Sequence, residues 1–326
     1  MRVTNTVARV LAAGAGLLLA SAGLAQSPGY PDRPVKIIVP FAAAGPTDVV
    51  ARLITQKLFE KFGQQFYIEN VAGAGGNLGM ATAGRSPPDG YTILFAASSM
   101  IVLTPQLQKL SFDPEKQLVP ITNVGTGTQM LAIKRDLPVK TLPEFIAYAK
   151  ANPGKLNFTV AGTQNISHLA PALLFARAGI DLVMVPSKGG PQAVSDLMSG
   201  QVDLYFGNSS ELLPHTDSDR IRLIAVGTAQ RLPVAPDIPS VSETLPGFEF
   251  SSWNGFLAPT GTPEPIITAI RGEITALAKS PEVTERLTKL GIVPGGLTGA
   301  QSEAVFRKDR DSFAAAIKAA GIPGPQ

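Results

Sequence analysis

Short apolar runs and helix-period stretches alternate along nearly all of the chain beyond residue 25. Runs of apolar and β-branched residues predict strands at 35–39, 66–69, 91–95, 130–133, 156–160, 182–185, 202–206 and 221–226. Between them, Val50, Leu53, Ile54 and Leu58 recur at helical spacing behind Pro46 and Asp48. Proline suits a first helical position, and an acid favours the positive helix end. Thr141 and Glu144 read as a capping box, Ser280-Pro281-Glu282 opens a later helix, and Gly200 and Gly321 close two others. The alternation predicts an α/β fold with mostly parallel sheets and ligand sites at the carboxyl ends of strands. Two extended stretches, 119–125 and 248–259, read as crossovers between two lobes. Two hinge strands there would let the lobes close on a ligand.

The first 25 residues stand apart from this pattern. Arg2 and Arg9 form a basic start, Val10 to Ala20 an apolar centre, and Gly23-Leu24-Ala25 a small-residue cleavage site. The expectation is a cleavable signal peptide over 1–25 and a mature chain working in the periplasm. No later stretch reaches the ~18 uninterrupted apolar residues of a membrane span. Beyond the signal the chain carries 26 basic and 25 acidic residues, with no run of four cations. That balance and the few aromatics argue against a nucleic-acid partner. With no cysteine in 326 residues there is no disulfide or cysteine–metal framework.

Candidate chemistry concentrates in five strand-to-helix loops. The first, 41–45, is made of small residues and opens onto a helix N-terminus, where bare N–H groups favour an anion. It is equally compatible with an ordinary tight turn. The second, 73–79, contains Gly73, Gly75, Gly76 and Gly79 but puts Leu78 where a dinucleotide fingerprint needs its third glycine. Further N–H donors and the Asn77 amide are the better reading. The third, 161–168, is rich in hydroxyl and amide groups, and His168 beside a helix start is expected to be neutral. A capping Ser167 with a packed His168 is the alternative. The fourth, 186–191, holds Lys188, and the fifth runs from Phe206 to Ser210. Loops 41–45, 73–79 and 161–168 contain no Lys or Arg, so an anion there is met by N–H dipoles, hydroxyls and water.

An enzyme reading finds little support. The two histidines, His168 and His215, belong to no HExxH motif, no GxSxG occurs, and no cluster has zinc-ligand spacing. No catalytic residue, metal or cofactor is assigned.

The segments YPDRPVKIIVPFAAAGPTDVVAR, VAGAGGNLG, PPDGYTILF, ANPGKLNF, SHLA, GQVDL and APDIPSV, in that order, resemble the Bug-type (TctC-like) periplasmic substrate-binding proteins of tripartite tricarboxylate transporters. The resemblance covers essentially the whole mature chain. It implies a two-lobed periplasmic-binding-protein (Venus-flytrap) fold, with lobe 1 over 26–124 and 250–326 and lobe 2 over 125–249. It implies a receptor that delivers a small organic carboxylate to membrane permease subunits, acting as a monomer. A sensing role beside a membrane kinase and, less favoured, an exported α/β enzyme are the alternatives. The resemblance places one carboxylate on the loops of Phe41, Ala43, Ala44 and Gly45 and of Gly75, Gly76 and Asn77, with Ser99 nearby. Thr163, Asn165, Ser167 and His168 meet the other end from the second lobe, and Ser187, Lys188 and Gly207 complete the candidate contacts.

Three positions depart from the family pattern. Ala44 stands where a second glycine is common, Ser187 replaces a frequent tyrosine, and Gly207 replaces a frequent aspartate. The last change is expected to remove a negative charge from the cleft, and both cleft changes reduce side-chain volume. The expectation is a carboxylate without an amino group, bulkier or aromatic, with Ser187 and Gly207 selecting it.

Overall fold

The computed structural model describes residues 29–163, 165–297 and 299–325. The predicted signal peptide lies outside the described residues. Strand β1 (Val35–Val39) pairs in parallel with β2 (Phe66–Asn70) and β3 (Thr92–Ala97). Helix α1 (Pro46–Phe62) lays Val50, Ile54 and Leu58 on this sheet and ends at Gly63, whose left-handed φ of 68° suits glycine. Helix α2 (Asn77–Gly84) follows β2.

Strand β4 (Leu118–Lys134) is 17 residues long and joins the two halves of the sheet. Its first part pairs antiparallel with β9 (Ser251–Pro259), its last part with β7 (Leu204–Asn208) and β8 (Ile221–Val226). The β4–β9 register slips between Pro120 and Thr122 and again between Asn123 and Gly125, which bends the strand as it crosses. Beyond β7, strands β5 (Asn157–Val160) and β6 (Val183–Pro186) add in parallel, giving the order β2-β1-β3-β9-β4-β7-β5-β6. Strand β10 (Ile292–Pro294) also pairs with β4. Parallel pairs thus form the two outer parts, and antiparallel pairs form the crossing. The extended stretches expected at 119–125 and 248–259 supply β4 and β9.

Helices α3 (Leu142–Ala151), α4 (Ile166–Ala178), α5 (Gly190–Met198) and the single turn α6 (Ser209–Leu212) belong to the β5–β8 half. Helices α7 (Glu264–Ala278) and α8 (Pro281–Lys289) return to the β1 half. The C-terminal helix α9 (Gly299–Ala319) packs on β4, on α4 and on the turn Ser99–Leu103, and so touches both halves. Phe313, Ala316 and Ile317 of α9 join one apolar cluster with Leu94 of β3 and Phe206 of β7.

Local signals held with small shifts. Thr141 Oγ1 accepts from the Glu144 N–H at 3.3 Å, but the Glu144 carboxylate reaches back to the N–H of Lys140 at 2.7 Å. Ser280 turns its hydroxyl onto Leu277 O at 2.8 Å and leaves the opening of α8 to Pro281. Strand β7 extends to Asn208, two residues past the sequence expectation. Gly207 therefore sits opposite Met130 in the ladder and not in a loop.

Candidate functional site

The loop after β1 is shaped by one buried carboxylate. Asp48 is fully buried and accepts from the Ala44 N–H at 2.9 Å, from Arg52 Nε at 2.7 Å and Nη2 at 3.1 Å, and from Asn70 Nδ2 at 2.9 Å. Asn70 also donates to Phe41 O at 3.0 Å, tying the ends of β1 and β2 together. Burial would push the Asp48 carboxyl up, but these donors outweigh it and hold the group below the ordinary carboxylate range. Sequence reasoning gave Asp48 only a helix-end role. Its larger effect is to hold Ala44 at a left-handed φ of 64°.

This clamp corrects the expected role of Ala44. Its N–H is spent on Asp48, and the Gly45 N–H turns to Ala42 O at 3.4 Å. Among the described residues, the bonds of this loop leave the N–H groups of Ala42, Ala43 and the first helical turn at Thr47 without an acceptor. Phe41 contributes its carbonyl to Asn70 and its ring to the core.

The loop after β2 has the same logic. Gly73 O accepts from the Gly76 N–H at 2.9 Å and Ala74 O from the Asn77 N–H, leaving the N–H groups of Ala74 and Gly75. Gly75 has a φ of 66° and open space where a Cβ would stand. Gly76 differs: its φ of 95° disfavours any side chain, and a Cβ there would come 3.3 Å from Pro40 O and displace Met100 Cε. Asn77 Nδ2 donates to Gln108 Oε1 at 3.2 Å, and its Oδ1 is buried without a partner. Ser99, just past β3, is buried, and its N–H donates to Ser252 Oγ at 3.3 Å.

In the other half, Asn165 and not Ser167 caps α4. Its Oδ1 accepts from the Ser167 N–H at 3.0 Å and the Ser167 hydroxyl at 2.8 Å, and its Nδ2 donates to Ala161 O at 3.2 Å. These side chains hold the loop. Thr163 is exposed. Burial lowers the His168 imidazole below its ordinary range, in line with the neutral ring expected there. Ser187 is anchored by its N–H on Val160 O at 2.9 Å, and Lys188 is exposed.

Gly207 does not open space. A Cβ there would stand 2.0 Å from Tyr205 Cε1, so the tyrosine ring fills the volume that a side chain would take. The Tyr205 hydroxyl donates to Glu211 Oε2 at 2.9 Å, and Asn208 Nδ2, set by Gln129 Nε2 on Asn208 Oδ1 at 2.8 Å, approaches Oε1 at 3.4 Å. Burial pushes the Glu211 carboxyl above its ordinary range, against the pull of Tyr205 and Asn208. Position 207 carries no carboxyl, and Glu211 places one four residues on. Glu211 was not among the sequence candidates, since a lone acid in 206–212 carries no motif.

A cavity of about 760 Å³ shows which surfaces face one another across the crossing. Ala44 lines it from the loop after β1, Val49 from α1, Pro191, Val194 and Met198 from α5, and Glu211 from α6. Of the residues expected to touch a ligand, Ala44 alone lines it, with Pro191 and Ser210 of the fourth and fifth candidate loops beside it. Among the described residues, no group of three His, Asp or Glu side chains could hold a metal.

Comparison with known proteins places the chain in a family. A family profile described as "Tripartite tricarboxylate transporter family receptor" matches residues 50–321. Protein BugT of Bordetella pertussis is 32% identical over 312 residues, covering 94% of this chain and 96% of its own. Among solved structures, R. palustris Rpa4515 with adipate superposes with a TM-score of 0.85 at 30% identity, over 91% of this chain and 100% of that one. MatC from Rhodopseudomonas palustris with bound malate does so with a TM-score of 0.79 at 30% identity, over 88% and 100%.

Proposed function

The chain belongs to the tripartite tricarboxylate transporter receptor family, and from that membership we propose that it captures a small organic carboxylate in the periplasm for the membrane subunits of such a transporter. The lobes are taken as 26–124 with 250–326, and 125–249. The observation that carries this reading is the set of unused N–H groups at Ala42, Ala43, Ala74 and Gly75, at the carboxyl ends of adjacent parallel strands and without a basic side chain in either loop. Preformed dipoles of this kind accept a carboxylate with little reorganisation, and bridging water extends their reach. Similar receptors hold adipate and malate. The second lobe then closes over the ligand about β4 and β9, and the closed form is what the membrane subunits recognise. The role is capture and release, without catalysis.

Thermal-shift and calorimetric titration with adipate and malate test this. A ligand at 100 times its Kd stabilises by about 2.7 kcal/mol, which a melting curve reads directly. Absence of any shift or heat across mono-, di- and hydroxycarboxylates at millimolar concentration would overturn it.

A further inference from the structure

The cavity beside the carboxylate loops has a polarity of its own. Helix α5 runs along it, and nine residues at 1.5 Å each make a wall about 13 Å long. Glu211 sits against the first residue of this helix: a Cβ on Gly190 would lie 1.8 Å from Glu211 Oε1. Val194 and Met198 of α5 and Val49 of α1, which is 43% exposed, give the cavity an apolar part. Ser195, Ser199, His215 and Arg220 also line it. Ala44, from the first carboxylate loop, lines the same space.

We propose that this cavity is a second subsite of the cleft, which takes the apolar tail of a small carboxylate whose hydroxyl or ammonium group donates to Glu211. The inference rests on the receptor reading above. The carboxylate end stays on the N–H groups of Ala42, Ala43, Ala74 and Gly75. A donor close to it meets Glu211, whose two oxygens are oriented by Tyr205 and Asn208. The tail then lies along Val49 and Val194, where burial of its apolar surface favours binding. An ionised dicarboxylate without a hydroxyl has no proton to donate to Glu211. The ligand class is therefore a hydroxy- or amino-carboxylate with an apolar side chain.

Calorimetric titration of the protein with 3-phenyllactate, 3-phenylpropionate and lactate separates donor from tail, with phenylalanine as the ammonium counterpart of phenyllactate. The expected result is that phenyllactate or phenylalanine binds at least tenfold more tightly than both phenylpropionate and lactate. Glu211→Gln should reduce the advantage over phenylpropionate at least fivefold. Val49→Trp, an exposed position that tolerates the change, should weaken the tailed ligands at least tenfold and leave lactate unaffected. If adipate or malate binds but the series shows no donor or tail advantage, or neither variant changes the ratios, the subsite is wrong and the receptor reading stands. If none of these carboxylates binds, both fail.

Discussion

The ring of Tyr205 occupies the space of a side chain at position 207: a Cβ on Gly207 would lie 2.0 Å from Cε1 and 2.2 Å from Cζ of that ring. The two residues sit on the same face of β7, two apart, and the ring that crosses the glycine delivers its hydroxyl to Glu211. Gly190 stands in the same relation to Glu211. Tyr205, Gly207, Glu211 and Gly190 therefore form one interlocked set.

Gly207→Ala should cost about 1–3 kcal/mol, since a fully buried ring must leave its rotamer and its hydrogen bond. In a Tyr205→Leu background the same change should cost much less. Urea unfolding of the four proteins of this cycle measures the coupling; equal costs in both backgrounds would refute the interlock.

Asp48 holds the first loop through four donors. Asp48→Ala removes the only acceptor shown for the Ala44 N–H and should destabilise by about 2–3 kcal/mol. It should also weaken carboxylate binding, because Ala42 and Ala43 lose their fixed orientation. The pH behaviour has a definite sign. The folded carboxyl is depressed, so its contribution is present above the ordinary carboxylate range and is lost as pH falls through the depressed value. Acid unfolding of the parent below about pH 4, compared with Asp48→Asn, reads it.

Ala44→Gly tests the strain directly. At a φ of 64° an alanine pays a steric cost that glycine does not. The gain is offset by the larger backbone freedom of unfolded glycine, leaving about 0.5 kcal/mol of stabilisation. A lower melting temperature would show that the clamp, and not the residue, sets this conformation.

The two glycines of the second loop should separate. Gly75→Asn keeps a residue that tolerates the left-handed region and meets no neighbour, so the fold should survive while the side chain stands in the ligand's approach. Carboxylate affinity should fall at least tenfold with little change in melting temperature. Gly76→Ala meets Met100 Cε at 2.2 Å at a φ of 95°, and should lose stability first.

How much of this was legible in the chain varies by kind of residue. Strand and helix positions were, because apolar runs of four to six residues and Pro or Ser starts act locally: β1 and β8 fall at their expected bounds. The two small-residue segments were legible as strand-to-helix loops, since helices start at Pro46 and Asn77 just behind them. Asn165 and Ser167 bond to one another at the start of α4, and a hydroxyl-rich loop looks the same in sequence whether it faces a ligand or caps its own helix. Glu211 was missed for a different reason. Its importance comes from Tyr205, Asn208 and Gly190, which a strand pairing and a helix start bring to it, and no spacing encodes that meeting.

Asp309 of α9 supplies the last prediction. Its carboxyl lies among Ser98 at the end of β3 and Trp253 of β9, and burial pushes it up to about 6, against the pull of Ser98, Trp253 and Lys308. Trp253 Nε1 and Asp309 Oδ2 are both buried without a hydrogen bond of good geometry. In the unfolded chain the carboxyl has its ordinary value near 3.8. The native state therefore binds the proton more tightly, and stability must fall as pH rises from about 4 to about 6, by up to roughly 3 kcal/mol. Because α9 packs on α4 and on the turn Ser99–Leu103, ionisation loosens a contact that spans both halves of the sheet. Trp253 is the only tryptophan in the chain, so its fluorescence should titrate with a midpoint near pH 6. Asp309→Asn should abolish that titration and flatten the fall of melting temperature over the same interval. A midpoint that survives the substitution would place the titrating group elsewhere.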